Sequence, residues 1–68
     1  MFTNSEILQA ILSSKGYSIH KIYLLMGKNR KVYSAFELNR FTKKFIQELE
    51  KIVGEDLSIF INSKIGGK

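Results

Sequence analysis

The sequence predicts an all-α fold. Proline is absent, the apolar residues recur three and four apart rather than in alternation, and residues suited to helix N-caps stand just ahead of the apolar stripes. A chain of 68 residues has room for one domain around one small core. That domain is expected over residues 1–61, with 62–68 a frayed tail that has too little to bury. There is no cysteine and a single histidine, His20. Packing must therefore carry the stability without disulfides or a structural metal, as suits a reducing, cytoplasmic setting.

The elements follow in order. Thr3-Asn4-Ser5-Glu6 has the form of a capping box, so helix one should begin there. Its stripe is Ile7, Leu8, Ile11 and Leu12, and Gly16 can end it. Ser18 can cap a second, short helix with Ile22 and Met26 four apart, and Gly27 stops it. Only Lys28 and Asn29 intervene before Val32, Tyr33 and Phe36. The link is therefore a tight turn, with Asn29 capping a third helix that runs to about Asn39. Thr42 can cap a fourth helix carrying Phe45, Ile46, Leu49, Ile52 and Val53, which Gly54 ends. Leu57, Phe60 and Ile61 close the core with one more turn. The expectation is a compact five-helix bundle.

Charge is distributed unevenly along this frame. The net charge is +5, and from Lys15 to Lys44 eight basic residues face a single acid, Glu37. Such a block concentrates polyanions, nucleic acid first and an acidic protein surface next, or else forms a solvated lysine-rich face. Enzymatic chemistry is not expected, because the chain offers no cysteine, no second histidine and no aspartate but Asp56. Ile65-Gly66-Gly67-Lys68 lacks the following helix that a phosphate loop needs. Neither a signal peptide nor a membrane span is expected. The longest unbroken apolar stretch is Ile22 to Met26, against roughly 20 residues for a span. A membrane-surface role is disfavoured because helix four mixes acids among its lysines.

The run SIHKIYLLMGKNRKVYSAFEL, Ser18 to Leu38, resembles the helix-turn-helix of lambda-repressor and Cro-like regulators, a family common in phages and mobile elements. Ile22, Met26, Gly27, Tyr33 and Phe36 occupy its apolar and turn positions, and Asn29-Arg30-Lys31 stands where its recognition helix starts. Glu37 matches an acidic residue frequent near that helix's end. Leu8 and Ile11 before Lys15-Gly16 are similar to its first helix, and Phe45 to Phe60 to its last two. Tyr23 departs from the pattern where a small residue is usual. Ile7, Ile19, Leu24, Leu25 and Lys28 also depart from it in polarity.

The resemblance implies a lambda-repressor-like fold and a regulator that occludes a promoter, as a dimer on a two-fold site. With Tyr33 and Phe36 inward, Arg30, Lys31, Ser34 and Leu38 would lie on the outer arc of helix three. Asn29, Arg30, Lys31 and Ser34 are then the candidates for base reading, and Lys28, Arg40, Lys43 and Lys44 for phosphates. The departures suggest an alternative, an antirepressor that uses the same fold to bind a repressor protein. Its contact would be an apolar patch of Ile19, Tyr23, Leu24, Leu25 and Leu38. The leucine pair is open to two further readings, a homodimer contact or core. No cofactor, metal or small-molecule substrate is expected.

Overall fold

A computed structural model of the chain describes residues 2–62. Four α-helices follow one another: α1 (Asn4–Ser14), α2 (Ile19–Leu25), α3 (Lys31–Leu38) and α4 (Lys43–Val53). The all-α class is as expected, but the count is corrected. In place of a fifth helix there is a single 3-10 turn, η1 (Ser58–Phe60). One turn suffices because Leu57 and Phe60 are already buried by it. The rest of the predicted tail, including Ile65 to Lys68, lies outside the described residues.

Local chemistry sets the helix starts. Thr3 Oγ1 accepts the Glu6 amide at 3.2 Å while Glu6 Oε1 accepts the Thr3 amide at 2.9 Å, a complete capping box. Ser18 Oγ accepts from Lys21 N at 3.1 Å and Thr42 Oγ1 from Phe45 N at 3.2 Å. Asn29 Oδ1 accepts from Lys31 N at 2.9 Å, so Asn29 caps the turn that leads into α3. Each bond satisfies an amide that its helix cannot, worth about 1 kcal/mol.

Every element contributes to the core. Leu8 and Leu12 come from α1, Ile22 from α2, Val32 and Phe36 from α3, Ile46 and Leu49 from α4 and Phe60 from η1, with Phe41 and Leu57 from the connections. Burial of each such side chain stabilises by roughly 1.5–3 kcal/mol. Two inward assignments are corrected. Ile7, on the predicted α1 stripe, is exposed, and Tyr33 is exposed while Val32 is fully buried. Val32 leaves no polar atom to satisfy in the core, whereas a buried phenol would need a partner there. Phe41, which follows no helical stripe, is fully buried and packs edge-on to Phe36 with ring centroids 5.4 Å apart.

A polar tie joins the ends of these elements. Asn39 ends α3 in the left-handed region at φ 56°, a conformation that asparagine tolerates better than most residues. Its Oδ1 accepts the Ser5 amide of α1 at 2.8 Å, and its carbonyl accepts from Asn62 Nδ2 at 2.9 Å. Ser5 Oγ donates to the Phe36 carbonyl at 2.7 Å. Asn62, expected to begin the frayed tail, also takes the Phe41 amide on Oδ1 at 2.7 Å and donates its own amide to the Phe41 carbonyl at 2.9 Å.

Candidate nucleic-acid interface

The turn between α2 and α3 fixes everything around it. Lys28 N donates to the Tyr23 carbonyl at 2.8 Å and Gly27 N to the Leu24 carbonyl at 3.1 Å, which closes α2 through a left-handed exit. Gly27 at φ 74° takes that conformation without steric cost, but Lys28 follows it at φ 61°. A lysine there is strained by roughly 1–2 kcal/mol.

Against this turn lies an aromatic cluster. The Tyr23 ring is 5.0 Å from Tyr33 and 5.7 Å from His20, centroid to centroid. The Tyr33 hydroxyl and His20 Nδ1 are 2.7 Å apart. Tyr23, where a small residue was the family expectation, thus tilts aside and zips α2 to the start of α3. Tyr33 gains at the surface the hydrogen bond that burial would have denied it.

The change from Tyr33 to Val32 as the inward residue turns the outer face of α3. At about 100° per residue, Ser34 lies opposite Val32 and Phe36, with Arg30 and Leu38 nearest to it on either side. Lys31 lies beside Leu38 on one flank of that face, and Glu37 and then Tyr33 lie beside Arg30 on the other. All eight predicted base- and phosphate-contacting residues are exposed: Lys28, Asn29, Arg30, Lys31, Ser34, Arg40, Lys43 and Lys44. Among the described residues the only ion pair joins Lys15, the first cation of the block, to Glu55 at 2.8 Å. The cations from Lys28 to Lys44 therefore have no carboxylate partner within the described residues.

A groove of 420 Å³ runs between α3 and α4. It brings Asn29, Lys31 and Ser34 together with Arg40 and Lys44, so both predicted contact classes share one concave surface. Ala35, Leu38 and Phe45 give it an apolar lining, and Thr42 and Glu48 complete it. Arg30, Lys28 and Lys43 stand outside it. A second groove of 310 Å³ on the opposite flank is lined by Gln9, Ile19, Tyr33, Phe36 and Glu37.

The proposed apolar patch divides. Leu24, Leu25 and Leu38 are exposed at 47%, 52% and 60%, so the two leucines of α2 are surface rather than core. Ile19 and Tyr23, by contrast, are half-buried and packed against the core, which corrects their placement on an open patch. Leu38 belongs to the α3–α4 groove.

Sequence reasoning missed Ser5, Asn39 and Asn62, and also Glu50. Glu50 Oε2 accepts the Leu57 amide at 2.8 Å and so holds the segment that follows α4. Asp56 works beside it: the Ser58 amide donates to Asp56 Oδ1 at 3.0 Å, and that bond holds the carboxyl pKa below its ordinary value. Among the described residues no three potential ligands gather as a metal site needs, and no helix is long and apolar enough to cross a membrane. No family model, curated protein or solved structure matches the chain.

Proposed function

We propose that this protein is a helix-turn-helix transcription regulator that binds operator DNA through α3 and performs no chemistry of its own. The observation that carries the reading is the run from Lys28 to Lys44. Its six cations are exposed and unpaired among the described residues, and Glu37 is the one acid among them. Arg30, on the outer arc of α3, suits two-point contact with guanine, and Asn29, Lys31 and Ser34 flank it. Lys28, Arg40, Lys43 and Lys44 neutralise phosphates, which gives orientation and affinity without sequence information. A module this small reads a short site, so the working form is a dimer on a two-fold operator. Binding would occlude a promoter.

Fluorescence anisotropy with duplexes from the region upstream of its own gene tests this reading. Binding should be stronger than to random duplex and should weaken steeply as salt rises. Equal affinity for both duplexes at every salt concentration would dismiss it.

One observation favours a second reading, in which the chain is an antirepressor of phage or mobile-element type. Leu24 and Leu25 lie exposed on α2, flanked by Lys21 and Lys28, where a soluble monomer gains nothing from them. On this reading they meet a repressor protein. A promoter reporter separates the two: direct repression favours DNA binding, and relief only when a repressor is present favours the second.

A further inference from the structure

The α3–α4 groove has an apolar floor that DNA binding leaves unused. In it Leu38 is 60% exposed beside Ala35 and Phe45, while Lys31, Arg40 and Lys44 stand around it. Lys31 opens α3 and Arg40 lies just past its end. At 1.5 Å per residue α3 rises roughly 10 Å from Lys31 to Leu38, so the two cations stand at opposite ends of the groove. A lone carboxylate or phosphate reaches one such cation, not all three. The groove is matched by a ligand that carries several anions along its length with apolar groups between them.

Duplex DNA has the anions, but its apolar base faces are stacked inside, and the major groove exposes only thymine methyls. An amphipathic acidic helix has both features. Its apolar side chains recur every three or four residues, and carboxylates on the flanks repeat at about 5 Å per turn. A second copy of this chain does not complement the groove. The acids of its α4, Glu48 and Glu50, stand between Lys43 and Lys44 on one side and Lys51 on the other, and Glu48 already lines the groove itself.

We infer that the α3–α4 groove binds an acidic amphipathic helix of another protein, and that this partner excludes DNA because Asn29, Lys31 and Ser34 line the same groove. The exclusion rests on the DNA reading above; the helix site does not.

The probe is a fluorescein-labelled 16-residue peptide with leucines on one face and glutamates flanking them, beside a control in which every glutamate is glutamine. The full chain should bind the first and not the second. Leu38→Ser, at an exposed position that leaves the core intact, should weaken peptide binding about tenfold and DNA binding less than about threefold. Glu48→Lys should tighten the peptide. Unlabelled operator duplex should displace it. Peptide affinity unchanged in Leu38→Ser would mean plain attraction between polyions and would overturn the site. Absent peptide binding alongside intact DNA binding would overturn it as well, leaving the DNA reading standing. Peptide binding without any DNA binding would uphold the site and sink the DNA reading. A ternary complex would overturn the exclusion.

Discussion

Replacing Asn39 separates two contributions that the structure places on one residue. The first is conformational: at φ 56° a residue with an ordinary Cβ is disfavoured by roughly 1–2 kcal/mol. The second is the hydrogen bond from the Ser5 amide to Asn39 Oδ1 at 2.8 Å, worth about 0.5–1.5 kcal/mol. Asn39→Ala forfeits the bond and takes on a left-handed penalty that asparagine largely escapes, so it should cost about 1.5–3.5 kcal/mol. Asn39→Gly forfeits the bond but avoids that penalty, and should cost about 1 kcal/mol less than alanine even after the entropy of glycine is counted. Asn39→Asp keeps an acceptor, now charged, at the start of α1, and should be close to neutral or stabilising. For a domain of this size 1 kcal/mol corresponds to roughly 4–8 °C in Tm, so thermal melts followed by circular dichroism resolve the series. Equal losses in Asn39→Ala and Asn39→Gly would refute the assignment of strain to this residue. A large loss in Asn39→Asp would refute the hydrogen bond.

Other expectations follow from the same geometry. Lys28→Gly relieves a left-handed lysine and should raise stability by about 0.5–1 kcal/mol in urea titrations, while lowering affinity for DNA. Lys43→Gln and Lys44→Gln should each reduce the slope of log affinity against log salt by about one, with the preferred sequence unchanged; Arg30→Ala should cost about 1–3 kcal/mol on the operator and relax its sequence preference. Because the Ser58 amide lowers the pKa of Asp56, this carboxylate stabilises the fold above the ordinary carboxylate range. That contribution is lost as pH falls through the lowered pKa. Asp56→Asn should therefore show a shallower loss of stability on acid titration than the parent, and an unchanged profile would count against the bond.

Local signals were the ones legible in the chain. Thr3 with Glu6, Ser18 and Thr42 cap where they are expected, and Asn29 holds the turn into α3, because such bonds need only residues two or three positions away. Val32 and Tyr33 were harder, since adjacent apolar residues fit one stripe about equally well, and the choice depends on where a phenol finds a partner. That partner, His20, comes from another helix. Phe41 lies outside every periodic stretch, and the Ser5, Asn39 and Asn62 tie spans most of the chain, so no window of sequence displays either. Asn39 did carry a clue, an asparagine just past an apolar stripe, where left-handed exits occur. Exposure of the cationic run followed from its charge, whereas the pattern left Leu24 and Leu25 open between surface and core. The division of the cations between a groove and an outer arc did not follow, because it depends on how α4 crosses α3.

The bonds converging on Asn39 also govern how the molecule comes apart. Small domains commonly open first at their ends, with free energies well below that of global unfolding. Here the entry to α1, the exit of α3 and the strand of chain at Asn62 share one residue, so peeling either end also removes bonds from the other. Deuterium uptake at the amides of Ser5 and Phe41 should accordingly be slow and nearly synchronous, as in a latch that releases both doors at once.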